Sequence, residues 1–288
     1  MSTDIRGRRW ITLNTSRGCP YRCAFCYNEV FSRRRWRGLS AFRVIEQINY
    51  MQSEFGASHI NFLEDNFTVN RGRLIKICDT LIRQKTDIEW ECESRVGSLD
   101  GDLLSKMKRA GCKTLGFGVE SGSPRILELL RKDITVAEII KTFDLCKKVG
   151  IYTDAYVMCG LPTETINDFN MTLTLLRKIT YQHCDMMVFR PYPGTALHDL
   201  CVNNGLFSPP TSIDGWAMIG DQHSSDFSVG QIPETILWRE IVKNKRANQM
   251  KRKLFFLKET PPRVILSKKF FDRGIVYMRK ALTSLWTH

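Results

Sequence analysis

The chain has 288 residues and a mass of 33.3 kDa, enough for one large domain or one domain with an appendage. Hydrophobic residues make up 43% and charged residues 25%, which excludes wholesale disorder, and no run reaches the roughly 18 apolar residues of a membrane-spanning helix. Residues 239–288 hold fourteen of the 43 Lys and Arg but three of the 30 Asp and Glu, so +11 of the formal +13 sits there and the body is nearly neutral.

Along the chain, short β-type runs alternate with helical stripes. The opening residues, MSTDIRGRR, carry charges without an apolar core and are no secretory signal. Residues 10–14 read as a strand. Ser40 caps a helix with Val44, Ile45, Ile48 and Met51 on one stripe, and Gly56 stops it. A second strand is expected at 59–63, then a helix marked by Leu74, Cys78 and Leu81. A third strand at 88–92 precedes a helix carrying Leu103, Leu104 and Met107, and a fourth strand spans 114–119. Thr135 and Glu138 form a capping-box pattern for a helix to Val149, stopped by Gly150. A fifth strand at 152–159, a helix at 166–179 and a sixth strand at 186–190 complete the series.

Strands that alternate with helices imply βαβ crossovers and a parallel sheet, and the regular repetition favours a curved, barrel-like sheet. The expected fold class is therefore α/β, a partial TIM-type barrel of six parallel β/α units with a C-terminal helical extension. The expected organisation is a core barrel at 1–200, an irregular connection at 201–233 rich in turn formers, and a basic helical extension at 234–288. Two helices are expected in that extension, 234–258 and 263–285, divided by Pro261 and Pro262.

The sharpest motif is RGCPYRCAFC at 17–26, directly after the first strand. Cys19, Cys23 and Cys26 share one loop with C-x3-C-x2-C spacing, which lets three thiolates converge on a cubic iron–sulfur cluster. The next cysteine is Cys78. Three protein ligands leave one iron open, and an open position implies chemistry rather than electron storage. Two other readings remain at this point: a zinc site completed by His59, and plain buried thiols. The remaining seven cysteines show no C-x2-C pairing, so a second cluster is not expected. Ten cysteines in this length are too sparse for a disulfide scaffold and fit a reducing compartment.

Four further segments fall at expected strand ends: EDNF at 64–67, GFGVESG at 116–122, MCGLPTET at 158–165 and RPYPGT at 190–195. Together with the cysteine loop and its Phe25, they make the chain resemble the radical S-adenosylmethionine (radical SAM) superfamily over residues 9 to about 200. The last segment is similar to that of relatives of the anaerobic magnesium-protoporphyrin ester cyclase, a subgroup associated with cobalamin. The resemblance implies a 4Fe–4S cluster on the three cysteines, with S-adenosylmethionine chelating the open iron and cleaved to a 5′-deoxyadenosyl radical. It implies that Glu64, Asp65 and Asn66 hold the amino group of SAM, that Glu120 with Ser121 meets the ribose, and that Lys132 pairs with the carboxylate. It also implies that Met158 and Gly160 line the adenine. All these positions fall at strand C-termini, where barrel enzymes build their active sites. Against these roles stand simpler ones: solvated surface for Glu120 and Lys132, and turn chemistry for Asp65, Asn66 and Tyr192.

The implied activity is modification of a small-molecule or lipid-like substrate by methylation, cyclisation or rearrangement. Rival readings are an RNA-modifying enzyme of related mechanism and a non-catalytic iron–sulfur or zinc interaction module. A nucleic-acid-binding body carries its basic footprint on itself, and this near-neutral body argues against RNA. The interaction module has no reason to carry four SAM-type segments. The relatives place a cobalamin-binding domain before the barrel; the few residues ahead of Trp10 leave no room for one, so this chain alone is not expected to bind cobalamin. The arginine-rich RRRWR at 33–37 reads as a solvated loop or as a docking rim for an acidic electron donor of flavodoxin or ferredoxin type. A cytoplasmic location is expected. The basic tail is expected to pack on the barrel through Phe255, Leu257, Val264, Leu266, Phe270 and Phe271, with peripheral contact to an anionic membrane as a second role.

Overall fold

The protein is described by a computed structural model covering residues 2–3, 8–219 and 228–259. Six parallel strands lie in sequence order: β1 (Arg9–Leu13), β2 (His59–Phe62), β3 (Glu89–Ser94), β4 (Cys112–Glu120), β5 (Tyr152–Cys159) and β6 (His183–Val188). They curl into a half-barrel, and Ser2–Thr3 adds a short antiparallel edge beside β1. The expected fold class stands. Strand bounds move by up to three residues. The largest shift is at β6, where the polar start at His183 and Asp185 hides the alternation.

Helices α1 (Ala41–Phe55), α2 (Arg71–Gln84), α3 (Gly101–Arg109), α4 (Pro124–Leu129), α5 (Val136–Val149), α6 (Ile166–Lys178) and α7 (Ala196–Asn203) follow the strands in turn, with α4 and α5 both after β4. Each begins after a side chain (Ser40, Asn70, Asp100, Ser123, Thr135, Thr165 or Thr195) that accepts the backbone N–H three residues on. The strand-to-helix turns are therefore pinned at the C-terminal end of the sheet. The sequence does not foresee α4, because six residues are too few to show a stripe. Its signal is Ser123 followed by Pro124, an N-cap with proline at the first helical position.

The sheet has two unlike faces. Ile60, Phe62, Trp90, Cys92, Phe117 and Val157 pack with helix residues such as Leu74, Leu104, Phe143 and Phe169 in one apolar core. Strand side chains alternate, so Glu89, Glu91 and Glu93 of β3 and Asp154 and Tyr156 of β5 turn to the opposite, concave face. There Tyr156 donates its hydroxyl to Glu93 Oε1 at 2.8 Å. The carboxyl of Glu93 lies over Gly116 of β4, where a Cβ would collide with it. Burial, with Glu91 adding to it, pushes the Glu93 carboxyl up to about 7; burial with Glu91 and Glu93 does the same at Asp154.

The described residues beyond β6 include several that pack on the barrel. Leu197, Cys201, Phe207 and Val229 form a second apolar cluster with Ala24, Ile126, Leu130, Met158, Leu161 and Phe189. Residues 201–233, expected as irregular, include the end of α7 and a short helix, Ile213–Ile219. Helix α8 (Glu234–Glu259) buries Leu237 and Ile241 against the core. Its Asn248 accepts the N–H of Cys184 at 3.1 Å and donates to the Cys184 carbonyl at 2.6 Å, and Asn244 donates to the same carbonyl at 2.7 Å. The expected second tail helix at 263–285, the Pro261–Pro262 break and the side chains of Phe255, Leu257, Val264, Leu266, Phe270 and Phe271 lie outside the described residues.

Two predictions follow from this packing. A Cβ on Gly122 would lie 2.5 Å from the Met171 carbonyl oxygen and 2.7 Å from Thr172 Cα, both backbone atoms of α6 that cannot step aside alone. Gly122→Ala is expected to cost about 1–3 kcal/mol in urea unfolding. Glu93 holds its proton in the fold to about pH 7, whereas an exposed Glu ionises near 4.5. A raised carboxyl pKa stabilises the fold below the unfolded value, and that stability drains away as pH rises through the window up to 7. Unfolding free energy is thus expected to fall with pH between 5 and 7, and Glu93→Gln to flatten the slope by about 1–3 kcal/mol across it. Equal slopes for the two proteins would contradict the assignment.

Candidate functional site

The cysteines lie in a loop whose base is closed by an antiparallel ribbon, Ser16–Arg17 with Arg37–Gly38. Gly18 turns into the loop at φ +83°, where any Cβ would strike the Arg35 carbonyl. Ala24 ties the middle of the loop to the barrel: its N–H donates to the Leu130 carbonyl at 2.9 Å and its carbonyl accepts from Leu197 N–H at 2.9 Å. The Cys26 N–H donates to the Cys23 carbonyl at 3.1 Å. Asp65, just past β2, accepts from Gly18 N–H at 2.8 Å and Tyr27 hydroxyl at 3.2 Å. The loop is held from several sides.

Cys19, Cys23 and Cys26 are half-buried, while the other seven cysteines are buried. Two donors address their sulfurs: Asn28 Nδ2 lies 3.6 Å from Cys26 Sγ, and Arg95 Nη1 lies 3.7 Å from Cys23 Sγ. Burial pushes the Cys19 and Cys26 thiols up, so a bound cation is what would hold them as thiolates. Among the described residues, no three His, Cys, Asp or Glu side chains gather closely enough for a single metal ion. A cubic cluster asks less convergence, since each thiolate takes a separate iron. His59, the fourth ligand of the zinc reading, sits at the opposite end of the parallel sheet, stacked on Trp10 and 3.5 Å from Glu91. The zinc reading therefore loses His59 as its fourth ligand, and the loop fits a cluster.

Glu120, Lys132 and Phe25 meet beside this loop. Glu120 ends β4 at φ +61°, a left-handed conformation that costs a non-glycine residue energy. Its Oε1 accepts from Lys132 Nζ at 2.6 Å, and the pair is 6% and 8% exposed, which sets aside the solvated reading of both. Gly118 makes room for them, since a Cβ there would meet both charged ends. The Lys132 ammonium stands 5.8 Å from the Phe25 ring centre.

Other expected residues are occupied with the chain itself. Glu64 is buried; its carboxylate accepts from Thr15 and Ser16 and so ties the end of β2 to the end of β1. Asn66 Oδ1 accepts Thr68 N–H at 3.2 Å, the turn role. Ser121 Oγ is shared with Thr172 at 3.1 Å and accepts Ser123 N–H at 3.1 Å. The Tyr192 carbonyl accepts from Thr195, also a turn. Met158 packs in the second apolar cluster, and Gly160 takes φ +68° with Gly230 backbone directly on it. Sequence reasoning missed Glu164, fully buried, whose Oε2 accepts Leu161 N–H at 3.1 Å and shapes the loop after β5; burial pushes it up to about 7. It also missed Asn28, Arg95 and the Glu93–Tyr156 pair. The alternating acids of EWECES at 89–94 are a legible signal for the last.

Comparison with known proteins agrees with this geometry. The profile described as Radical SAM superfamily matches residues 13–176. An uncharacterized methyltransferase of Pyrococcus horikoshii is 38% identical over 192 residues, which cover 67% of this chain and 42% of that protein. The anaerobic magnesium-protoporphyrin IX monomethyl ester cyclase of Cereibacter sphaeroides is 27% identical over 64% of this chain and 31% of its own. The chain thus spans less than half the length of these relatives. Among solved structures, the radical S-adenosylmethionine methyltransferase TsrM of Kitasatospora setae superposes with a TM-score of 0.62 at 16% identity, over 68% of this chain and 39% of that one. The profile match runs through the cysteine loop and the ends of five strands, over more than half of the sequence, and the chain belongs to the radical SAM superfamily.

Proposed function

We propose that this chain is the half-barrel of a radical SAM enzyme that binds a 4Fe–4S cluster on Cys19, Cys23 and Cys26 and methylates, cyclises or rearranges a small polar substrate. The observation that carries the reading is the latched loop of three half-exposed thiols next to the buried Glu120–Lys132 pair. When bound and reduced, the cluster supplies one electron that splits the sulfonium of SAM into methionine and a 5′-deoxyadenosyl radical. The protein's residues bind and orient. Lys132 offers a cation to a carboxylate and Glu120 an acceptor to ribose hydroxyls. The concave face then takes the substrate.

The lining of that face separates the substrate classes. Glu91, Glu93 and Asp154 make that face acidic, and covering them with an apolar chain would cut them off from water at a cost in free energy, so a polar molecule fits better than a lipid-like one. The nearly neutral body carries no basic footprint for the phosphates of RNA. Arg33, Arg35 and Arg37, exposed beside the cysteine loop, offer a rim of opposite charge to an acidic one-electron donor.

Replacing all three cysteines with Ala is expected to abolish cluster reconstitution, read as iron and sulfide per chain, and with it the conversion of SAM to 5′-deoxyadenosine. Full reconstitution in that variant would overturn the ligand assignment. For the SAM pocket, Lys132→Met alone leaves Glu120 buried and unpaired and is expected to cost about 3–5 kcal/mol of stability. Adding Glu120→Gln is expected to restore most of that stability but not SAM affinity, which should stay at least about tenfold (1.4 kcal/mol) below wild type in equilibrium dialysis. Wild-type affinity in the refolded double variant would reduce the pair to a structural ion pair.

A further inference from the structure

Arg95 is the least expected charge in the molecule. It follows the last residue of β3 and is 8% exposed, yet no carboxylate lies within ion-pair distance of it among the described residues. Burying a guanidinium costs several kcal/mol unless an opposite charge offsets it. Its side chain contacts the ring of Tyr21, with the guanidinium carbon 4.0 Å from the ring centre, and Cys23 Sγ, 3.7 Å from Nη1. Both belong to the cysteine loop. The Arg95 carbonyl accepts from Ser98 N–H at 3.3 Å and Ser98 Oγ at 2.7 Å, which fixes the backbone that aims the side chain. The Glu138 carboxylate feels the Arg95 charge from beyond ion-pair distance, but the guanidinium itself is stacked on the loop and aimed at a thiol, and that placement marks the site of an anion.

We propose that Arg95 is the counter-charge of the cluster: it holds Cys23 through an N–H···S contact and makes the cluster easier to reduce. The inference rests on the cluster assignment above. A cluster held by thiolates is anionic, and accepting an electron adds one negative charge. A fixed positive charge in a desolvated setting lowers the energy of the more negative state, so it raises the reduction potential. The redox step is the entry of a single electron into the oxidised cluster from an external low-potential donor, with no bond made or broken. Asn28, a neutral donor on Cys26, acts in the same direction with less force. Arg95 is thus a positioning and tuning residue rather than a catalytic one.

The test is a potentiometric titration of the reconstituted full chain without SAM, followed by the electron paramagnetic resonance signal of the reduced cluster. Arg95→Met removes the charge and keeps the length; Arg95→Lys keeps the charge and loses the planar stack on Tyr21. Arg95→Met is expected to make one-electron reduction at least about tenfold less favourable, a potential lower by about 59 mV, while Arg95→Lys stays within about threefold of wild type. Equal potentials in Arg95→Met and wild type, at equal iron and sulfide content, overturn the proposal. So does a Lys variant shifted as far as the Met variant, which would assign the effect to packing. If Arg95→Met fails to retain a cluster, Arg95→Gln carries the same reading: a lowered potential supports the role and an unchanged one overturns it. A wild-type chain that binds no iron or sulfide would instead sink the functional reading itself, so the two failures are distinguishable.

Discussion

Strand β4 presents no side chain to the concave face at Gly116 or Gly118, and much of the interior is arranged around that gap. The carboxyl of Glu93 fills the space over Gly116, and Glu120 with Lys132 fills the space over Gly118. A single methyl group at either position would displace the charged or hydrogen-bonded group that lies over it. The same strand is fully apolar on its other side, where Leu115, Phe117 and Val119 anchor it in the core. One strand therefore carries the rigidity of the fold on one face and the room for chemistry on the other.

The cysteine loop draws its order from distant parts of the chain rather than from its own sequence. Asp65 and Arg95 come from βα turns, Leu130 from the end of α4 and Leu197 from the first turn of α7, and each makes a specific contact with residues 18–27. Those turns are themselves pinned by capping side chains at the helix starts. A loop of this kind keeps its shape only while the barrel around it is intact. Loss of stability anywhere in the sheet would thus be felt at the thiols.

Period and spacing made the six strands, most helices and the three cysteines legible, because alternation and C-x3-C-x2-C are local patterns. The Thr135 capping box and the Gly56 and Gly150 helix stops were read in advance for the same reason. Arg95 was not, since its partner Cys23 is 72 residues away and nothing local marks it. Glu64 lies at the expected strand end, but one position cannot reveal that its carboxylate is bound by Thr15 and Ser16. The concave acids were in view as alternate residues of β3. They carry meaning only once the sheet shows which side the helices cover.

The side-chain amide of Asn248 meets both the N–H and the carbonyl of Cys184, just as a neighbouring strand would. That imitation ends the sheet at β6. A further strand could join there only by prising off two amide hydrogen bonds and the helix that bears them, so the half-barrel is kept from closing into a full ring. Among the described residues the sheet is therefore an open arc, bounded by Ser2–Thr3 beside β1 and by α8 beside β6.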